Sequence, residues 1–501
     1  MTERPPPGPG AGAVRARRLF VGACVALIAT SVTFAVVGAV MLTLKREFVL
    51  TNQQVGWIGG AALWGFAVSQ LIFSPLCDTL GMRVLMWLAF VCHVAGALTM
   101  IAADGFWLLF SGALVLALGN GLVEAACNPL VASLYPDQKT VKLNQFHVWF
   151  PGGIVIGGVS AYLLDLAGFG SWQLKIGLIL VPTLLYGHLL LRQRFPATEG
   201  VRAGVGMGEM FRAALTTPLM LLMLFAMAIT ASTELGPNRW VPAVLEAGGI
   251  PGILVLAWIS GLMAVLRYRA GPVVQRLSPT GVLLCSSVVA LVGLVWLSFA
   301  ETTAMAFLSA TVFAAGITYF WPTMLGFVSE RIPKSGALGL GLMGAVGMAV
   351  VGLLTSPQLG RIADEYGHAR LPEAETVELL RQVDASFEVF IHEPTGDPAD
   401  ARAALDASRA VLASYEQTGV LPEIATANAL RAIIDSGAAS PLVAEAQATL
   451  GPADNYGGRV SFRFISPFTA LLILIFGGLY LHDRRTGGYR AVRLAGSAEA
   501  A

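Results

Sequence analysis

Long apolar runs separated by short polar connectors follow one another along almost the whole chain. Each run is long enough for a helix to cross a hydrocarbon core of roughly 30 Å. The pattern therefore predicts an all-α membrane protein with twelve transmembrane helices, numbered here helix 1 to helix 12 in chain order. The runs cover about residues 19–44, 54–76, 83–103, 106–134, 145–166, 173–193, 216–236, 250–268, 280–299, 303–329, 336–357 and 464–482.

One long segment, residues 358–463, departs from this pattern. It is polar and rich in acids, and its apolar positions recur at intervals of three and four between prolines and glycines. This periodicity predicts a mostly helical insert between helices 11 and 12, on the extracytoplasmic side. Both a small helical subdomain and a long ordered loop fit the pattern. An accessory cap without chemistry of its own is the simplest interpretation.

Basic residues mark one side of the predicted bundle. They fill the connectors after helices 2, 4, 6, 8 and 10, where Arg267 and Arg269 are assigned to the connector between helices 8 and 9. Positive charge is retained on the cytoplasmic side, so we expect a multi-pass protein of the plasma (inner) membrane with both termini cytoplasmic. The run after Arg18 is too long for a cleaved signal peptide.

These boundaries divide the chain into seven regions. The halves are expected to be of similar size, with helix 12 separated from the rest of the second half by the insert. The regions are a disordered cytoplasmic tail (1–18), an N-terminal half (19–193), a cytoplasmic central loop (194–215), helices 7 to 11 (216–357), the insert (358–463), helix 12 (464–482) and a cytoplasmic tail (483–501).

Composition supports a lipid-embedded chain and excludes several other classes. Of the residues, 55% are hydrophobic and only 13% are charged, whereas soluble domains carry about 25% charged residues. The net charge of +1, without a basic stripe, gives no reason to expect nucleic-acid binding. The five cysteines lie in apolar runs and fit neither a disulfide framework nor a metal site. We find no enzyme signature and expect no cofactor; we expect a monomer.

Similar features recur about 197 residues apart. Pro129 in helix 4 corresponds to Pro322 in helix 10, and "YLLDLAG" (162–168) after helix 5 corresponds to "RIADEYG" (361–367) after helix 11. Several such matches keep the same order, which indicates a duplicated chain. Two parallel six-helix halves with a substrate site between them near the midplane are the organisation of the major facilitator fold.

The connector after helix 2 resembles a motif of the major facilitator superfamily. In "CDTLGMR" (77–83), Asp78, Gly81 and Arg83 have the spacing Asp-x-x-Gly-x-Arg, with Ser74 in place of the usual leading glycine. In that superfamily the motif closes the cytoplasmic side, so the resemblance implies a cytoplasmic gate. From the residues alone, a solvated turn at a helix end also fits.

Helix 4 carries a polar stripe in an otherwise apolar run. Asn120, Glu124 and Asn128 are spaced by four, so they share one helical face. A carboxylate at the bilayer centre costs about 2.5–3.5 kcal/mol on insertion scales, so Glu124 is a candidate functional residue. Its ability to bind and release a proton is what a proton-coupled carrier requires. An interhelical hydrogen-bond anchor is the structural alternative.

Further polar and aromatic residues are predicted near the same depth. His147, at the start of helix 5, is the expected neighbour of Glu124, although a histidine satisfied by a backbone carbonyl also fits. Glu234 in helix 7 is a second candidate proton-coupling acid, or an interfacial acid beside Arg239. The predicted substrate-binding residues are Asn120, Asn128, Asn144, His147, Asn238 and Trp321.

The stretch "GLVEAACNPLVASLYPDQKTVKLNQFHVWFPGG" (121–153) resembles the fucose and glucose/galactose proton symporter family. Glu124, Asn128 and Pro129 match its Glu-x-x-x-Asn-Pro, and Leu143 and Asn144 match its Leu-Asn pair; His147 stands where glutamine is usual. "STELGPNRW" (232–240) resembles the same family's helix 7. Helix 1 differs, since it has no acid where the fucose branch has an aspartate.

This resemblance implies proton-coupled import of a monosaccharide or a similar small polar solute by alternating access. The expected partners are therefore a small solute, protons and the lipid bilayer. Two alternatives stay open. One is an efflux antiporter of the same fold, and the other is a non-transporting sensor that uses the external insert.

Overall fold

The computed structural model describes residues 14–390, 398–437 and 440–494. Most of the first predicted tail and the last seven residues of the second lie outside them. Twelve apolar helices form the bundle: Ala16–Glu47, Asn52–Leu80, Met82–Ile101, Phe106–Leu134, Lys139–Leu166, Trp172–Leu190, Pro218–Ala247, Gly252–Tyr268, Ala270–Leu297, Thr303–Arg331, Pro333–His368 and Pro441–Arg485.

Within the described residues, eleven of these helices are long and apolar enough to cross a membrane. The remaining one, helix 8 (Gly252–Tyr268), is apolar but has 17 residues, about 26 Å at 1.5 Å per residue. The all-helical membrane fold is thus confirmed. The count of twelve crossings stays a prediction because helix 8 is at the lower limit of length.

Helices 5 and 10 are each interrupted within their length. Helix 5 consists of Lys139–Phe146 and Trp149–Leu166, and helix 10 consists of Thr303–Ile317 and Phe320–Arg331. A proline lies just after each break, at Pro151 and Pro322. Proline has no backbone N–H and its ring crowds the carbonyl four residues earlier. The breaks therefore leave the carbonyls of His147 and Thr318 without their usual helical donors.

The two halves meet along helices 2 and 11 and along helices 5, 8 and 10. Glycines allow the closest approach: a Cβ on Gly344 of helix 11 would lie 2.2 Å from Gln70 Oε1 of helix 2. A Cβ on Gly341 would lie 1.9 Å from Ser74 Oγ. Larger side chains at these glycines would force the halves apart.

Charged groups tie the halves together at the predicted cytoplasmic end. Glu330 of helix 10 accepts hydrogen bonds from the backbone N–H of Thr140 at 2.9 Å and from its hydroxyl at 2.7 Å. Lys139 donates to the Ser329 carbonyl at 3.1 Å and also contacts Glu199 of the central loop. These bonds join helix 5 of one half to helix 10 of the other.

The insert contains three helices, Glu373–Phe390, Pro398–Thr418 and Glu423–Asp435. They share an apolar cluster of their own with the start of helix 12, built around residues such as Leu380, Phe387 and Leu430. Helix 12 begins at Pro441, so the insert boundary predicted at residue 463 falls inside a continuous helix. Helix 11 likewise continues to His368.

Candidate transport site between the two halves

A narrow cavity lies between the halves. Both halves contribute to it, which is the location expected for the substrate site of a duplicated carrier. Its polar lining consists of two acids, one histidine, one arginine and one tryptophan. The lining residues are Phe66, Glu124, His147, Phe150, Glu234, Leu235, Arg267, Trp321 and Met348.

The N-terminal half supplies an acid and a histidine. Glu124 is 2% exposed, and its Oε2 accepts a hydrogen bond from Asn128 Nδ2 at 2.5 Å. Its Oε1 lies 3.5 Å from His147 Nε2. The predicted pairing of helices 4 and 5 thus brings these three residues together, as their sequence positions suggested.

The hydrogen bonding of His147 determines what can lie between the two groups. His147 Nδ1 lies 3.1 Å from the Leu143 carbonyl, which can only accept, so Nδ1 carries a proton. If the ring is neutral, Nε2 is then an acceptor facing Glu124. One proton between Glu124 and His147, on either group, makes this contact favourable. Without it, a buried carboxylate would face a lone pair.

The C-terminal half supplies an ion pair. Arg267 NH2 donates to Glu234 Oε1 at 2.9 Å, and both side chains are nearly inaccessible. A buried acid held by an arginine differs from one held by a histidine, since arginine does not lose its proton in proteins. Glu234 Oε2 has no hydrogen-bond partner among the described residues.

The assignment of Arg267 to a cytoplasmic connector was wrong. Arg267 lies in helix 8, is 2% exposed, and is part of the cavity lining. An arginine at the end of an apolar run normally marks the membrane surface, so the sequence pattern favoured a connector. The signal that could have found it is indirect: two prolines in other helices leave carbonyls that need a donor.

Arg267 is that donor for both carbonyls. Its Nε donates to the Thr318 carbonyl at 2.6 Å, and its NH1 donates to the His147 carbonyl at 3.1 Å. Thr318 is four residues before Pro322 and His147 is four residues before Pro151. The guanidinium thereby donates to one carbonyl at the break of helix 10 and one at the break of helix 5, which lie in different halves.

The other predicted site residues divide into two groups. Trp321 lines the cavity and is packed against Gly347, where a Cβ would lie 2.8 Å from the indole ring. Asn144 lies at the contact between the halves, where it donates to Thr323 Oγ1 at 3.1 Å.

Asn120 and Asn238 do not join the cavity lining. Asn120 Oδ1 lies 2.9 Å from His93 Nε2, and His93 Nδ1 lies 3.0 Å from the Tyr186 hydroxyl, so Asn120 faces helices 3 and 6. Asn238 is half-buried one turn beyond Glu234, and its Oδ1 has no partner in the described part of the chain. The binding role of both stays a prediction.

The gate motif connects helix 2 to the central loop. Asp78 Oδ1 accepts a hydrogen bond from Thr198 at 2.6 Å, and a Cβ on Gly336 at the start of helix 11 would lie 3.2 Å from its Oδ2. Gly81 has φ +83°, a conformation that favours glycine at this turn. Arg83 is exposed. Asp78 therefore reaches the other half, as a closing contact would require.

A bundle with a mixed polar cavity between two helical halves defines a membrane transport fold rather than an enzyme. Comparison with known proteins agrees with this class. A sequence profile of the Major Facilitator Superfamily matches residues 19–356. The chain belongs to this superfamily, and the resemblance inferred from its motifs is confirmed at that level.

Among solved structures, the chain is similar to FucP, the fucose:proton symporter of E. coli, in its outward conformation. The TM-score is 0.58 at 18% identity, and the match covers 70% of this chain and 92% of FucP. At this identity the likeness shows the fold. The major facilitator architecture predicted from the sequence is thus confirmed.

Curated relatives include sugar carriers. Solute carrier family 2, facilitated glucose transporter member 6 of Homo sapiens is 30% identical over 212 residues, which are 40% of this chain and 41% of that protein. Hexose transporter HXT17 of Saccharomyces cerevisiae is 28% identical over 144 residues, 28% of this chain and 25% of that protein. The chain thus matches less than half the length of either relative.

Proposed function

We propose that this protein is a proton-coupled importer of a monosaccharide or a similar small polar solute, working by alternating access in the plasma membrane. The observation that carries the proposal is the cavity between the halves, which is lined by two buried acids of different environment and by aromatic rings. The sugar carriers among its relatives and the fold shared with a fucose:proton symporter support it.

The balance of charge around the cavity supports an assignment of the proton site. Arg267 is a permanent cation and pairs with Glu234. Glu124 has only His147 as a possible cation within 4 Å among the described residues. A buried charge without a partner is costly, and a proton shared between Glu124 Oε1 and His147 Nε2 would remove that cost. We assign proton coupling to this pair, with Glu234 fixed by its arginine.

The lining fits a solute with both apolar faces and hydroxyl groups. Trp321, Phe66 and Phe150 offer ring surfaces, against which a sugar ring can pack. Glu234 Oε2 in the cavity lining and Asn128 Oδ1 beside Glu124 are buried and have no hydrogen-bond partner in the described residues. Buried polar atoms are rarely left unpaired, so these atoms are suited to hydroxyl groups of a bound solute.

The test is counterflow of a panel of labelled sugars into proteoliposomes, with and without a pH gradient. We expect at least one sugar to exchange, and an inwardly directed proton gradient to drive its accumulation. Liposomes without protein and liposomes with Glu124→Gln are the controls.

Specific binding of a sugar without exchange would contradict import and favour a sensor. Efflux of amphipathic dyes without sugar exchange would favour an exporter. Accumulation that is unchanged in Glu124→Gln would refute the assignment of the proton site while leaving sugar transport in place.

A further inference from the structure

We infer that Arg267 is a latch between the halves, acting through the two carbonyls that Pro151 and Pro322 leave without helical donors. This inference rests on the proposed function, since it describes how the proton site would be linked to movement of the halves. Arg267 is a positioning residue in this account, because it acts through the backbone of helices 5 and 10.

The contacts of Arg267 cross the boundary between the halves. Arg267, Glu234 and Thr318 belong to the C-terminal half, whereas the His147 carbonyl belongs to the N-terminal half. The guanidinium is held in its own half by two bonds and reaches across with a third. Separation of the halves at this level must break the bond from NH1 to the His147 carbonyl.

The two prolines make this bond available. In an unbroken helix the His147 carbonyl would accept from the N–H of residue 151, and the Thr318 carbonyl from that of residue 322. Both positions are proline. Neither carbonyl has its i+4 donor, and both accept from Arg267. The His147 carbonyl also accepts a longer bond from the Phe150 N–H at 3.4 Å.

His147 connects the latch to the proton site. Its carbonyl accepts from Arg267 NH1, while its ring faces Glu124 at 3.5 Å. Gain or loss of the proton shared by Glu124 and His147 changes the charge or the position of the His147 ring. The backbone carbonyl of the same residue accepts the latch bond from Arg267. One residue therefore contacts both the proposed coupling acid and the contact that holds the halves together.

Alanine at either proline supplies the missing N–H and gives the carbonyl a competing helical donor. Pro151→Ala and Pro322→Ala should therefore weaken the latch without touching Arg267. Arg267→Lys keeps a positive charge for Glu234, but one ammonium cannot replace the forked contact with two carbonyls. Pro182→Ala in helix 6, which packs on helices 1 and 3, is the matched control for removing a proline.

The measurement is hydrogen–deuterium exchange of the full-length protein in lipid nanodiscs, with each proline variant read in the opposite half. Pro151→Ala is read at residues 326–336 of helix 10 and its connector. Pro322→Ala is read at residues 139–146, where the Thr140 N–H bonds to Glu330 across the boundary. Arg267→Lys is read at both segments.

We expect exchange in these opposite-half segments to rise by about two- to tenfold, the range that losing one hydrogen bond gives. Pro182→Ala should leave both segments at the wild-type rate. If the three latch variants match Pro182→Ala in both segments, the latch is refuted. If one variant fails to fold, the other two still decide the question.

This readout is independent of transport. If the wild-type protein shows no sugar counterflow, the proposed function fails, while the hydrogen–deuterium exchange of the variants still tests the latch. If the wild-type protein takes up sugar and the latch variants keep wild-type hydrogen–deuterium exchange rates, the latch is refuted and the proposed function stands.

Discussion

The two acids that line the cavity are both almost fully buried, yet their surroundings differ. Glu234 contacts Arg267 at 2.9 Å, and Glu124 contacts His147 at 3.5 Å and Asn128 at 2.5 Å. Arginine keeps its charge, so Glu234 always faces a cation. Histidine can be charged or neutral, so the Glu124 pair can hold a variable charge.

In the proposed function, this difference separates a structural pair from a proton-coupling pair within one cavity. The fixed pair belongs to the C-terminal half, and its Arg267 also joins the halves through the bond to the His147 carbonyl. The variable pair belongs to the N-terminal half and has no permanent charge to compensate it. A buried acid in a carrier thus has a role set by its partner more than by its depth.

Removal of Arg267 is expected to have the largest effect of the changes considered. Arg267→Ala removes a donor from the buried Glu234 carboxylate and from two backbone carbonyls, so we expect a loss of about 3–5 kcal/mol of stability. Thermal unfolding in detergent measures it, with the exposed Arg269→Ala as control. The double variant Arg267→Ala/Glu234→Gln should recover part of the loss. Equal melting temperatures for Arg267→Ala and Arg269→Ala would contradict a stabilising role of the Arg267–Glu234 pair.

Exchanging each acid for its amide tests whether Glu124 and Glu234 have different roles. Glu124→Gln should keep sugar exchange and lose accumulation driven by a proton gradient, by tenfold or more if a shared proton is the coupling step. Glu234→Gln strands the Arg267 charge, so both exchange and stability should fall. Measured counterflow and gradient-driven uptake separate the two. If both variants change counterflow and gradient-driven uptake in the same way, the two acids do not have different roles.

Replacing the histidine tests the variable pair more mildly. His147→Gln keeps the backbone carbonyl for Arg267 and removes the titratable ring, so we expect gradient-driven accumulation to fall by roughly threefold to tenfold with exchange retained. His93→Gln is the matched control, a buried histidine that contacts Asn120 and Tyr186 instead of an acid. Gradient-driven uptake that falls equally in both variants would contradict a specific role of His147.

The smallest expected effect is at Asn120, which lies outside both pairs. Asn120→Ala leaves His93 Nε2 without a buried partner, which should cost about 1–3 kcal/mol of stability. The KM for sugar uptake by the folded protein should stay at the wild-type value, whereas Asn128→Ala, which removes the bond to Glu124, should raise it. A raised KM in Asn120→Ala would place this residue in the binding site after all.

The polar stripe of helix 4 shows how far periodicity reaches. Asn120, Glu124 and Asn128 share a face in projection, but helices turn 100° per residue, so a spacing of four drifts around the helix axis. Asn128 and Glu124 stay together, and Asn120 turns toward His93. The repeat of four predicted a polar face, and the neighbouring helices determined which of its members line the cavity.

From the sequence alone, the apolar runs determined an all-helical membrane fold, because lipid requires every backbone group to be satisfied within a helix. The duplication and the Glu124 motif determined the superfamily and placed an acid between the halves. Only the tertiary structure showed that Arg267 lies at the site. Its role depends on the carbonyls of His147 and Thr318, which are far apart along the chain and lose their i+4 donors to prolines in different halves. Such a contact exists only once the helices are packed, so no pattern along one helix could reveal it.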